Sequence, residues 1–267
     1  MSQDGDKPGV AQTVIEFAAK AHNQLGVDVT HLRHPRQGGK NGYEKLAIHF
    51  GWALRELFDQ RQYQRVIILE DDMEIAPDFF SYFLRMAPLL DADDSLMAVS
   101  AFNDNGFKGL VSDPKRVVRS DYFPALGWML NRRLWSEWGP KWPKGYWDDW
   151  LREPPQRRGR AVLRPEICRT FTFGRRGVST GQFYDKFLGR ISLNRVDVDW
   201  EHEDLEYLGK SNFDKQWRAT ISAARAVSLD DASKWMRLGS NGIGESGDIK
   251  VVYMSLERGA SPSFMSV

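Results

Sequence analysis

The chain has 267 residues, enough for one large α/β domain, or one domain with a small appendage, around a sizeable core. Its 37 lysines and arginines nearly balance 36 aspartates and glutamates, so no global field draws it to nucleic acid or an anionic membrane surface, and binding must be local. A single cysteine, Cys168, excludes an internal disulfide and reads as a small buried apolar side chain rather than a nucleophile. The longest apolar runs are far too short to cross a bilayer, and the first residues lack the signature of a signal peptide, so the sequence reads as a soluble chain. Ten Trp, eight Tyr and fifteen Phe exceed what a core needs, which leaves aromatic faces for a sugar ring, although core packing is the default for any one of them.

In chain order, the opening Met1 to Gly5 is expected to run straight into a helix carrying Val10, Val14, Phe17, Ala18, Ala21 and Leu25 on one face. Val27 to Leu32 alternates as a strand, and a glycine-rich break, Gly38 to Gly42, leads to a second amphipathic helix from about Tyr43 to Phe58. Val66-Ile67-Ile68-Leu69 reads as a strand buried on both faces inside a parallel sheet. Pro77 fits the first turn of a helix bearing Phe79, Phe80, Phe83, Leu84 and Met86, and Leu96 to Ser100 is another buried strand. Strands alternating with helices indicate a doubly wound sheet. Beyond Asn103 come turns, Trp and Pro, with strands expected at Gly127 to Asn131 and Ala161 to Leu163 and a helix start at Trp147 to Leu151 ended by Pro154-Pro155. A helix from about Asp214 to Val227, a glycine-rich connection and a strand from Ile249 to Met254 close the chain. Gly242-Ile243-Gly244-Glu245-Ser246-Gly247 is formally a G-x-G-x-x-G, but it precedes a strand instead of following one, so it reads as a flexible loop.

Three segments carry chemistry. The apolar strand stops on Glu70-Asp71-Asp72, and three adjacent carboxylates at a strand end repel one another unless a cation offsets them, which points to a divalent metal. Trp147-Asp148-Asp149-Trp150 offers a general base beside an aromatic sugar platform, but taken alone it reads first as a helix start with acids on the macrodipole and Trp in the core. Thr172 to Gly181 combines glycines, Arg175, Arg176 and hydroxyls, as suits a closing loop over a diphosphate or a plain surface turn. Together they describe transfer from a nucleotide-linked donor.

These residues resemble the β-1,2-N-acetylglucosaminyltransferase I family. The likeness is dense and collinear from Gln3-Asp4-Gly5 through Glu70-Asp71-Asp72, Ala76 to Phe80, Val99 to Gly106, Phe123 to Trp128, Lys141 to Lys144, Trp147 to Trp150 and Arg164 to Ile167 to Gly181-Gln182-Phe183-Tyr184, and continues loosely towards Val252-Tyr253. The resemblance implies a GT-A-type doubly wound mixed sheet flanked by helices, its first strand missing, over residues 1–193, with a partial C-terminal region at 194–267. It implies inverting transfer of GlcNAc from UDP-GlcNAc to a mannose of a high-mannose N-glycan with Mn²⁺, in the Golgi lumen, by a type II membrane protein whose anchor is not in this sequence. Position by position, Asp72 would ligate the metal, and Glu70 and Asp71 would lie beside the sugar and ribose. Asp4 and His49 would contact the uridine, Val178 and Ser179 would close on the diphosphate, Trp147 would meet the substrate and Asp148 would be the base. His49 alone would read as a satisfied, partly buried residue. The family pattern has an Arg-bearing strand upstream of Asp4, animal members usually have His where this chain has Thr180, and their paired cysteines have no counterpart here. The alternatives are the O-mannose transferase of the same family and an inactive nucleotide-sugar or glycan-binding module.

Overall fold

In a computed structural model of the protein, the described residues are 1–34, 38–175, 177, 178, 180–224, 251, 252, 265 and 266. The opening residues form strand β1 (Ser2–Asp4) before helix α1 (Pro8–Leu25), rather than entering the helix directly. Proline in the first turn starts α1, and Gly26, in the left-handed region at φ 64°, ends it by donating its N–H to the last-turn carbonyls. Of the stripe expected on α1, only Val14 and Ala21 are buried, and Phe17 and Leu25 are 51% and 75% exposed. The strands on either side of α1 are about 10 Å long against about 27 Å of helix, too little surface to cover the stripe. Strand β2 (Leu32–His34) begins five residues later than its alternation predicts, because it pairs in parallel with β1, and the ladder Ser2↔Leu32, Gln3↔Arg33, Asp4↔His34 ends where β1 ends.

Helix α2 (Gly42–Arg55) is capped by Asn41, whose side chain accepts the Glu44 N–H at 3.0 Å while Glu44 accepts from the Lys40 N–H at 2.7 Å. It continues through a π turn, Glu56–Gln60, and buries Ala47, Phe50, Leu54 and Phe58. The following elements are β3 (Arg65–Ile68), β4 (Met73–Ile75), α3 (Phe79–Ala92), β5 (Leu96–Ser100), β6 (Val117–Ser120), β7 (Trp128–Asn131), α4 (Arg132–Trp138), α5 (Trp147–Arg152), α6 (Pro154–Arg157), β8 (Ala161–Pro165) and β9 (Thr170–Thr172). Helix α3 buries Phe79, Tyr82, Phe83, Met86 and Leu90 and leaves the expected Phe80 and Leu84 exposed; at ~100° per residue those two fall outside the buried arc. Pro154-Pro155, expected as a helix end, opens the next one.

A mixed five-stranded sheet in the order β3-β7-β5-β8-β6 forms the centre, with helices against it; β5 and β8 run parallel and the other pairs antiparallel. Strand β5 is buried throughout. Strand β3 departs from expectation: it is an edge strand, antiparallel to β7, with only Val66 buried and Leu69 exposed beyond its end. Its continuous apolar run reflects a half-covered edge, which single-sequence periodicity does not separate from a central strand. Outside this sheet, β4 and β9 form an antiparallel pair.

The surplus aromatics mostly fill the core. Trp147 stacks on Phe50 at 4.7 Å and on Trp128 at 5.6 Å, with Trp142 beyond. Cys168 is fully buried against Phe102 and Ile191, and burial pushes its thiol up to about 12, which leaves it inert as a nucleophile. At the start of α3, Asp78 is fully buried and accepts from Arg169 at 3.0 and 2.9 Å, Asn194 at 2.8 Å and Trp200 at 2.8 Å.

The chain divides into two compact units, Met1–Glu203 and Asp204–Val267. In the second, α7 (Lys210–Ala223) begins four residues before the expected helix. A two-residue strand, β10 (Val251–Val252), pairs antiparallel with β11 (Met265–Ser266). The expected continuation to Val227, the glycine-rich connection and the remainder of the Ile249 to Met254 strand lie outside the described residues. Among the described residues no helix is long and apolar enough to cross a membrane.

Candidate active site

Glu70, Asp71 and Asp72 lie in the connection between β3 and β4, with a turn at Asp71 and Asp72, so three carboxylates follow one another there. The Glu70 carboxyl is raised to about 7, first by burial and then by the charges of Asp72, Asp71 and Asp148. Asp148 belongs to α5, so the fold brings the second acid motif within electrostatic reach of the first. Asp72 is also raised, by burial and then Asp71, against the opposing hydrogen bonds of its own backbone and of the Thr172 hydroxyl at 3.4 Å.

Strand β9, paired antiparallel with β4, leads the chain into the glycine-rich segment, and Phe173 donates its N–H to the Asp72 carbonyl at 2.9 Å. The next residue is glycine for a steric reason: a Cβ on Gly174 would lie 1.8 Å from Asp72 Oδ2. The segment folds into a turn in which Thr180 donates its N–H to the Gly177 carbonyl at 3.0 Å and Gly181 adopts φ 77°. Arg175 lies over the ring of Tyr184 at 5.0 Å. Val178 packs on the start of α2, where a Cβ on Gly42 would meet its methyls at 2.8 Å. Arg176 and Ser179 lie outside the described residues.

At α5, Arg152 donates to Asp148 at 3.0 Å and to Asp149 at 2.7 Å, and its guanidinium stacks over Tyr122 at 4.8 Å. Asp149 is the more exposed acid, its side chain 67% accessible against 36% for Asp148. Trp147, expected as a sugar platform, has its ring packed into the aromatic stack. Beside it the exposed Tyr146 stacks on the half-buried Tyr43, 4.7 Å apart, with Tyr146 in a left-handed conformation at φ 49°. Sequence reading missed this pair, since nothing local links Tyr43 to Tyr146.

Asp4 and His49 do come together, and with them His34, which the sequence did not single out. Asp4 ends β1, His34 ends β2 directly opposite it, and His49 projects from α2. His34 Nδ1 is 3.3 Å and His49 Nδ1 4.0 Å from Asp4 Oδ1, and a ligand atom from each of the three lies within 4.8 Å of the others, close enough to hold a metal ion. Burial lowers the His49 pKa, Asp4 opposes this and His34 adds to it. The parallel register of β1 and β2 would have revealed His34.

A sequence model of the GNT-I family matches residues 1–258. A curated relative from Arabidopsis thaliana, an alpha-1,3-mannosyl-glycoprotein 2-beta-N-acetylglucosaminyltransferase, is 47% identical over 231 residues, which cover 86% of this chain and 52% of the relative. The chain therefore spans about half the length of that relative. With the match running along nearly all of it, the chain belongs to the GNT-I family.

Proposed function

We propose that this chain is the catalytic part of an inverting N-acetylglucosaminyltransferase of GT-A-type doubly wound fold, moving GlcNAc from UDP-GlcNAc to a mannose of a high-mannose N-glycan in β-1,2 linkage. Membership of the GNT-I family and the name of the Arabidopsis relative support the class of reaction and acceptor. The observation that carries the reading is that the Asp148 charge reaches Glu70 of the acid turn, because it links a candidate base with a candidate cation site across distant segments.

The turn suits a hard divalent cation: it offers carboxylate oxygens, among the described residues no ion pair offsets their repulsion, and Gly174 leaves Asp72 Oδ2 unobstructed by a side chain. Asp72 would hold Mn²⁺, which when bound supplies charge stabilisation for the departing diphosphate. Asp148 accepts the proton of the attacking mannose hydroxyl, and Arg152 holds its carboxylate in position. Asp4 and His49 meet the uracil, Glu70 and Asp71 the sugar and ribose, and Val178 and Ser179 close on the diphosphate. Trp147 backs the sugar pocket. Residues 1–193 form the catalytic region and 194–267 part of a C-terminal region, in a protein that works in the Golgi lumen.

The test offers the purified chain UDP-GlcNAc and Mn²⁺ with an oligomannose N-glycan, an O-mannosyl peptide or no acceptor, and follows UDP release. Release only with the N-glycan is expected. Release only with the O-mannosyl peptide reassigns the acceptor, and metal-dependent donor binding without release in any arm reduces the chain to a binding module.

A further inference from the structure

We propose that the outer face of Tyr146 is an acceptor subsite, a platform on which a pyranose ring of the glycan stacks while Asp148 addresses the reacting hydroxyl. The inference rests on the transferase reading and adds to it a residue that places the acceptor. Tyr146 and Tyr43 lie 4.7 Å apart, with their rings 19° from parallel. Tyr43 is half-buried and Tyr146 is 50% exposed, so Tyr43 backs one face of Tyr146 and the opposite face meets solvent. A ring held from behind suits a sugar, whose C–H bonds form an apolar surface that packs on an aromatic face. Tyrosine, with two side-chain torsions, loses little freedom in doing so.

The backbone supplies the second observation. Tyr146 sits at φ 49° and ψ 48°, a left-handed conformation that glycine adopts freely and a residue with a Cβ adopts at a cost. It is the N-cap of α5, yet its side chain makes no capping hydrogen bond, and its carbonyl accepts the Trp150 N–H at 3.0 Å, which any residue could do. The helix start therefore gains nothing from a phenol there, and the strain is borne by a residue whose distinctive part is an exposed ring.

Placement is the third. Helix α5 carries the ring two residues before Asp148, and the Tyr146–Trp150 hydrogen bond fixes the turn between them, so the platform and the candidate base are one rigid piece. Tyr43 stands in the first turn of α2, directly after Gly42, on which Val178 of the glycine-rich segment packs. The ring pair thus bridges the helix bearing the base and the helix that meets the segment proposed to close on the diphosphate. Glu44 follows Tyr43, and its Cγ lies 3.3 Å from where a Cβ on Gly145 would stand, which brings a carboxylate to the edge of the pair as an acceptor for a sugar hydroxyl.

The experiment compares the full chain with Tyr146→Gly and Tyr146→Phe. It measures transfer against oligomannose N-glycan concentration at saturating UDP-GlcNAc and Mn²⁺, and glycan affinity by calorimetry with UDP and Mn²⁺, where no transfer occurs. Tyr146→Gly removes the ring and relaxes the backbone, so it should fold, as its melting temperature checks. It should raise the glycan KM and Kd by about tenfold or more, with the loss in KM rather than kcat and donor affinity unchanged. Tyr146→Phe keeps the face and should restore both. Unchanged glycan KM and Kd in Tyr146→Gly, a loss confined to kcat or donor affinity, or a Tyr146→Phe as weak as Tyr146→Gly overturns the subsite while transfer by wild type upholds the transferase reading. Glycan binding that weakens in Tyr146→Gly, in a wild type that transfers to no acceptor, sinks that reading and keeps the platform as a glycan site.

Discussion

Asp78 and the Glu70–Asp71–Asp72 turn stand at the two ends of β4, and their carboxylates meet opposite surroundings. Asp78 is wholly buried but accepts from a guanidinium, an amide and an indole, and its partner Arg169 further donates to the Ile167 and Pro114 carbonyls and lies over Tyr82 and Trp200. Among the described residues, Glu70, Asp71 and Asp72 form no ion pair; only Thr172, at 3.4 Å, reaches the Asp72 carboxylate from another side chain. One carboxylate is finished by the fold, while among the described residues the other cluster meets no cation, which on the proposed function a bound divalent ion supplies. A buried acid is a structural element when its partners are present and a functional one when they are withheld.

The largest effect should come from the fourth carboxylate, which joins the unfinished cluster from α5. On the proposed mechanism, Asp148→Asn keeps the shape and the donor site but cannot take the proton, so turnover should fall by about two to four orders of magnitude with metal-dependent UDP-GlcNAc binding nearly intact. Asp149→Asn, at the more exposed position, should cost much less. Single-turnover rates at matched donor saturation decide it, and a reversed ranking transfers the role to Asp149.

Breaking the finished cluster should unfold the protein without touching the chemistry directly. Arg169→Met leaves Asp78 buried without its cation and should cost about 3–5 kcal/mol of stability, read as a lower urea midpoint. Mn²⁺ should not restore it. A midpoint within experimental error of wild type would mean that Asn194 and Trp200 alone satisfy Asp78.

What sequence could read follows the same division. The acid turn, the Trp147 to Trp150 motif and the glycine-rich segment stood out because each is a local run of distinctive composition, while the roles proposed for their residues rest on the family resemblance. The Asp78 network was not, since an acid before a helix looks like an ordinary cap and its partners lie at Arg169, Asn194 and Trp200. His34 was hidden for the same reason: it meets Asp4 only through the β1–β2 register. Strands β4, β6 and β9 are short and mix polar with apolar residues, so periodicity gives them no signal. The aromatic surplus was visible as composition, but its assignment to core or surface depends on contacts such as Trp147 on Trp128.

Gly174 tests how much room the unfinished cluster needs. An alanine there would drive its Cβ into the Asp72 carboxylate and displace it, so donor affinity in Mn²⁺ should drop by about tenfold or more on the proposed ligand role. The backbone has no positive φ at this residue, and the stability cost should stay small. Calorimetric titration of UDP-GlcNAc with and without Mn²⁺ measures both terms. Unchanged metal-dependent affinity in Gly174→Ala would remove Asp72 from the metal.

The smallest expected effect is also the most direct reading of the charge deficit. Glu70 is held at about 7, above its ordinary value of 4.5, so the folded chain keeps a proton that the unfolded chain releases. The stability this contributes is fully present below the unfolded value and is lost as pH rises through about 7. Wild type should therefore weaken between about pH 5 and about pH 8 relative to Glu70→Gln, which carries no charge at either end. Discounted for partial exposure, the difference between the two slopes should be on the order of 1–2 kcal/mol. Divalent cation added at the upper pH should recover part of it in wild type and less in the variant, because the cation offsets the same repulsion that Gln removes. Urea midpoints across the range supply the measurement, and parallel curves would show that the turn is solvated well enough to need no cation.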